Sequence, residues 1–228
     1  MNDPALRPRI IEGIVHAIVH ERAGDDLNRI RIARYPEDIT IEGKGLGDIL
    51  LEQSVEPTPE NAAELVIDIS LKGRASAIYH AISEEDIARI MRHPAVMHGS
   101  DGHITETGVG VPHPRCYGTF PRVLGVYVRK KGIITLEDAV RKMTSLVAQR
   151  IGIRDRGSIA PGKRADIVIF DPGVIADTAT FADPHSYPSG IDYVMVNGAI
   201  VAEKGTLTDA RSGHVIYGPG KEAEPRSD

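Results

Sequence analysis

Residues 75–102 read ASAIYHAISEEDIARIMRHPAVMHGSDG. Residues 75–82 have strand character. Ser83 can cap a helix that carries Ile87, Ile90 and Met91 and ends before Pro94. Residues 95–98 read as a second strand, ending at Gly99-Ser100-Asp101-Gly102. Strand, helix and strand within about thirty residues make a βαβ unit, which predicts a parallel pair. A carboxylate then sits where the second strand ends, on the face where α/β barrels build their sites.

Working outward, Asp3 and Pro4 can start a first helix whose apolar stripe is Ile10, Ile11, Ile14, Val15 and Ile18, and Gly24 can stop it. Residues 29–33 read as a strand. Gly43, Gly45 and Gly47 form a turn-rich patch, and the flanks of a phosphate-binding glycine loop are missing around it. Helices are predicted over residues 48–53 and from Thr58-Pro59 to Gly73. Another covers residues 123–127, and Thr135 caps the next, with Asp138 three residues on. From Gly157 the period becomes that of strands, at 167–170 and 193–196, and Asn197-Gly198 signals a hairpin.

Of 228 residues, 27 are Lys or Arg and 32 Asp or Glu, a net charge of −5 that offers no field for nucleic acid or anionic lipid. Trp is absent and Phe occurs three times, so the core must be aliphatic. A lone cysteine, Cys116, excludes an internal disulfide framework and suits a reducing, cytoplasmic setting. No apolar run is long enough to span a membrane, and MNDPALRPRI lacks the pattern of a signal peptide.

Asp101 can hold a metal or accept a proton from an attacking water; it also reads as a turn residue that caps the loop backbone. Arg115, on the loop that follows, has the planar fork suited to a carboxylate, and equally reads as a solvated surface arginine. His93, His98, His103 and His113 lie close in sequence without a structural-zinc spacing, and Cys116 has no CxxC partner. His16 and His20 lack the Glu of a zinc-protease helix and read as a helix-face pair. Alternation does not fix the direction of His80, while His185 and His214 read as surface. Ser100 is outside any Gly-x-Ser-x-Gly elbow.

The run Met97-His98-Gly99-Ser100-Asp101-Gly102, followed by HPRCYGTFPRVLG at 113–125, closely resembles the N-acyl-D-amino-acid deacylases (D-aminoacylases) of the amidohydrolase superfamily. Residues 157–171, GSIAPGKRADIVIFD, resemble that superfamily's return from barrel to β-sandwich, and Val196-Asn197-Gly198 fits the same place. The resemblance implies an α/β fold, the C-terminal part of a metal-dependent TIM-like barrel. Residues 1–151 would supply strands six to eight (29–33, 75–82 and 95–98) with their helices. Residues 152–217 would be sandwich strands and 218–228 a flexible tail.

The implied activity is hydrolysis of the linear amide of N-acyl-D-amino acids by a zinc-activated water. Asp101 matches the acid that takes the water's proton and passes it to the departing amine, and it is the one position offered as a zinc ligand. Arg115 matches the arginine that grips the substrate α-carboxylate; His113 receives no chemical role. The HPR-x-x-GTF motif points away from cyclic-amide hydrolases. Members of the family carry a His-x-His motif, a ligand Cys and two further His ahead of this region, and no His-x-His occurs here. Zinc is therefore expected for a complete enzyme, whose N-terminal half is expected on a complementary half chain or on an upstream stretch of the same gene, and the isolated chain is expected to be inactive or incomplete, with little activity. Three parallel strands cannot close an eight-stranded barrel, so Ile30, Ile32, Ile78 and Val96 are expected to lie exposed. The reading from another class is a non-catalytic fragment or a structural subunit that must pair to be stable.

Overall fold

In the computed structural model, which describes residues 6–103 and 106–217, the chain enters α1 (Arg7–Ala17) with Pro8 in its first turn. The Asp3 cap and Pro4 start lie outside the described residues, as does the 218–228 tail. One wide helical turn, Ile18–Arg22, follows, and Gly24 at φ +67° turns the chain away, as expected of a helix stop. The described residues form two compact units. One draws on Met1–Ser83, Gly102–Cys116 and Thr180–His185, the other on Glu84–Asp101, Tyr117–Ala179 and Ser186–Asp228.

The first unit adds β1 (Ile30–Arg34), α2 (Leu46–Glu52), α3 (Pro59–Lys72) and β2 (Ser76–Tyr79). Thr58 caps α3 as its sequence requires, accepting the Asn61 amide at 3.2 Å. α3 packs on α1 and α2, and α2 on β1. The Gly43, Gly45 and Gly47 patch is a turn and a close-packing device. Gly43 takes φ +80°. A Cβ at Gly45 would lie 2.3 Å from Asn28 Oδ1 and 2.7 Å from Asn28 Cα. The space is needed because Asn28 clamps the start of α2, accepting the Asp48 amide at 3.0 Å and donating to Asp48 Oδ1 at 2.9 Å.

Two expectations fail in this unit. β1 and β2 run antiparallel, in the register Ile30↔Tyr79, Arg31↔Ile78 and Ile32↔Ala77, so no parallel pair forms between them. Ile30, Ile32 and Ile78 are also buried, with Ile30 and Ile32 inside a core that includes Ile18, Leu27, Leu46, Ile49 and Leu65. The antiparallel ribbon hides its apolar residues under its own helices, so no eight-stranded barrel is needed to cover them.

The second unit holds α4 (Glu84–Arg92), most of α5 (Arg115–Arg122), α6 (Leu136–Met143), α7 (Ser145–Ile151) and a sheet of β3 (Ile167–Phe170), β4 (Ile191–Val196), β5 (Ala199–Glu203) and β6 (Thr206–Leu207). α5 contains Pro121, which cannot donate to the helix ladder, and it passes directly into a wide helical stretch, Val123–Lys130. Thr135 caps α6 by accepting the Asp138 amide at 3.2 Å. Met91, Val123, Leu124, Tyr127, Ile134, Ala139 and Ile175 make the core of this unit, with no tryptophan needed.

The sheet is antiparallel in the order β3-β4-β5-β6. Asn197 at φ +49° and Gly198 at φ +85° form the expected hairpin turn, both in the left-handed region a two-residue connection needs. It is one four-stranded sheet, and a second sandwich layer is not formed among the described residues. Residues 95–98 are not a strand: a turn at 94–95 gives way to irregular backbone. No strand of the described residues pairs with this segment; its His98 amide donates to Lys142 O at 3.3 Å, and side chains of α6 take the carbonyls of Met91, His93 and Pro94 just before it.

Candidate active site

Gly99-Ser100-Asp101-Gly102 leaves this irregular stretch with Asp101 exposed and at φ +46°. Asp tolerates the left-handed region better than most residues, and non-glycine residues held there cluster at functional sites. A Cβ on Gly102 would meet Cys116 Cα at 3.0 Å and Arg115 O at 3.2 Å. The residue next to Asp101 is therefore seated on the backbone of the HPR motif, within the first unit. Only glycine permits that approach without a shift.

Arg115 is half-buried at the start of α5, placed by a local turn. The His113 Nδ1 accepts the Arg115 amide at 3.0 Å, and the His113 carbonyl accepts the Cys116 amide at 3.0 Å. That fixes the His113 tautomer, with its proton on Nε2. The first two amides of α5 are thus satisfied by the residue two positions before Arg115.

A cluster that the sequence did not signal lies against this motif. The turn Thr180–Asp183, closed by Thr180 N to Asp183 O and Asp183 N to Thr180 Oγ1 at 2.9 Å each, presents Phe181. Its ring meets His80 at a centroid distance of 4.4 Å and His113 at 4.9 Å. An open cleft of about 730 Å³ beside it is lined by Asp25, Asp26, Arg29, Arg31, His80 and Phe181, among others. His185, expected at the surface, is half-buried, and its Nε2 lies 3.0 Å from Gly110 O. His214 is exposed, as expected. Phe181 follows His80 by about a hundred positions and His113 by almost seventy, and no local pattern announces such contacts.

Burial pushes the His113 imidazole down to about 4, with the Arg115 and His80 charges adding to it. Burial likewise lowers His80, aided by Arg31 and Arg29, and lowers His98, aided by Lys142. All three ordinarily titrate near 6.5. The folded chain resists their protonation, so below that pH the unfolded chain binds more protons and stability falls with pH. The part due to His113 is present above its unfolded value and is lost as pH falls toward about 4. The urea midpoint of the purified chain should drop between about pH 7 and 4.5, and His113→Asn should make the drop shallower. An unchanged slope in that variant would remove His113 from the account.

Among the described residues no three His, Cys, Asp or Glu side chains gather to hold a metal ion. The rings of His16, on α1, and His20, in the wide turn that continues it, meet at a tilt with centroids 4.7 Å apart, as a helix-face pair. A lone carboxylate is a poor zinc site. The described donors therefore do not fit a self-sufficient zinc centre, and Asp101 offers one ligand at most. No helix of the described residues is long and apolar enough to cross a membrane.

The model of the amidohydrolase family matches residues 45–202. The chain belongs to the amidohydrolase family. It is 46% identical over 142 residues to the D-aminoacylase of Alcaligenes xylosoxydans xylosoxydans, a match covering 62% of this chain and 29% of that protein. A solved D-aminoacylase with a binuclear metal centre matches with a TM-score of 0.71 at 38% identity, over 81% of this chain and 36% of that one. The N-acyl-D-glutamate deacylase of Bordetella bronchiseptica, solved with zinc and a phosphonate mimic of the tetrahedral intermediate, matches with a TM-score of 0.67 at 38% identity, over 78% and 36%. This amidohydrolase chain spans about a third of the length of the relatives it matches.

Proposed function

We propose that this amidohydrolase chain is the acid-bearing part of an enzyme that hydrolyses the linear amide of N-acyl-D-amino acids. Residues 1–151 are then its barrel-side portion, 152–217 its sandwich-side strands and 218–228 a tail, in a reducing, cytoplasmic setting. Asp101 takes the proton of the attacking water and hands it to the departing amine, for which an exposed carboxylate on a backbone held at φ +46° is suited. Arg115 holds the substrate α-carboxylate through its planar fork. The observation that carries the reading is the close approach of Gly102, the last residue of the Gly-Ser-Asp-Gly motif, to the backbone that follows His113-Pro114-Arg115, where an added Cβ would lie 3.0 Å from Cys116 Cα.

The zinc-activated water implied by the family resemblance needs donors beyond the described residues. We place them in a complementary polypeptide of the kind the relatives carry outside the matched region. The test is to express the chain with the part of the Alcaligenes D-aminoacylase outside the matched 142 residues, and to assay N-acetyl-D- and L-amino acids with zinc present. The chain alone should show little hydrolysis and the combination should hydrolyse the D-isomers. A combination without hydrolysis, or one that does not distinguish D from L, would sink the proposal. The lack of a gathered metal-binding set among the described residues favours one second reading, a structural subunit. Its signature is stable association without turnover.

A further inference from the structure

Lys142 is fully buried, the one charged side chain among the buried residues of the described chain. A buried ammonium is costly, and a methionine of similar length would fill the same space without that penalty. The ammonium must therefore be satisfied locally, and its partners show what it holds. Nζ donates to Met91 O and, at 2.9 Å, to His93 O, and pairs with Asp138 Oδ2 at 3.2 Å. Met91 is in the last turn of α4, where helix carbonyls have no partner within the helix and the helix dipole is negative. Lys142 caps that end from α6.

Its neighbour extends the hold. Arg141 Nη2 donates to Pro94 O at 2.7 Å, while its Nε and Nη2 reach Asp138 Oδ1 at 3.1 and 2.9 Å. Burial raises the Asp138 carboxyl, but the bonds from Arg141 and Lys142 outweigh it and the net direction is down. Asp138 is itself fixed by the Thr135 cap. The Lys142 carbonyl accepts the His98 amide at 3.3 Å. One turn of α6 thus takes three carbonyls at and just after the end of α4, those of Met91, His93 and Pro94, and gives an acceptor to one amide just ahead of Gly99. No sheet neighbour performs that task, since residues 95–98 are not a strand.

We infer that Asp138, Arg141 and Lys142 form a clamp that positions the backbone of residues 91–98, and through it Asp101. This rests on the role given to Asp101 above. These are positioning residues; the clamp acts on the reaction only by fixing where the carboxylate stands. A misplacement of about 1 Å costs about 10²-fold in rate.

The clamp has a readout independent of turnover. In Lys142→Met and Arg141→Met chains, the His98 amide should exchange with solvent at least about tenfold faster, and the amide resonances of residues 95–101 should shift. Those of β3–β5 should not change. Arg141 is half-exposed, so its variant keeps the test open if Lys142→Met does not fold. In the combined enzyme, kcat should fall by about 10²-fold with KM nearly unchanged, and Lys142→Arg should restore part of it. Unchanged exchange at His98 in folded variants would overturn the clamp whatever the activity. An active Asp101→Asn enzyme would instead overturn the role given to Asp101, with the exchange result still deciding the clamp.

Discussion

Asp101→Asn lowers kcat for N-acyl-D-amino-acid hydrolysis by about 10²–10⁴-fold in the combined enzyme, the range a positioned general acid–base group supplies. The substitution isolates chemistry from folding for two reasons. Asp101 is exposed, so no core packing is lost. Its backbone sits at φ +46°, a region that Asn occupies as readily as Asp, whereas Ala would add strain. A carboxamide cannot take a proton from water near neutral pH. The thermal midpoint of the D101N chain, measured beside kcat, separates the two effects: a loss of kcat at an unchanged midpoint is a loss of chemistry. Full kcat in the variant would end the acid–base role. A large loss of stability would show instead that Asp101 is a turn residue, the alternative its sequence context allows.

Leu46→Ala should destabilise the first unit by about 2–5 kcal/mol. Leu46 opens α2 with no exposed surface, inside the cluster that includes Ile30, Ile32, Ile49 and Leu65. The cavity cannot readily close. Gly45 and Gly47 press on Asn28 on either side, and a Cβ at either would lie under 3 Å from Asn28 Oδ1. Asn28 is in turn bonded to Asp48. The backbone around Leu46 is thus fixed by polar contacts that do not follow a shrinking side chain. Urea unfolding of wild type and variant, read by far-UV circular dichroism, measures the loss. A cost below about 1 kcal/mol would mean that the site collapses onto the smaller residue, against the rigidity argued from Asn28.

Local signals in the chain were legible where the physics is local. The Thr58 and Thr135 caps, the Gly24 helix stop and the Asn197-Gly198 hairpin all form as their chemistry demands. The Gly43–Gly47 patch is a turn, as read, but its reason lies in the distant Asn28. The strand read at 95–98 was a different kind of error. Three apolar residues and a histidine after a proline fit a short buried strand and fit equally an irregular segment held by side chains. Which one forms depends on whether a neighbour offers a ladder, and α6 offers donors and one acceptor instead. Parallel pairing failed for the same reason: residues 29–33 and 75–82 both have strand character, but direction belongs to the path between them, here through α2 and α3.

The two motifs that carry the proposed chemistry, with Asp101 and Arg115, were legible in the sequence as a resemblance to the deacylase family, whereas residue type and spacing alone left Asp101 open as a turn residue and Arg115 as a surface arginine. Family membership followed from the same residues and agrees with the family match over 45–202. The tertiary structure alone decided that Gly102 seats one motif on the other, that Phe181 lies between His80 and His113, and that a buried Lys142 holds the approach to Asp101. Such contacts join positions from about a dozen to about a hundred residues apart. They depend on how close two backbones come and on which polar group is left without water, quantities set only once the chain has packed.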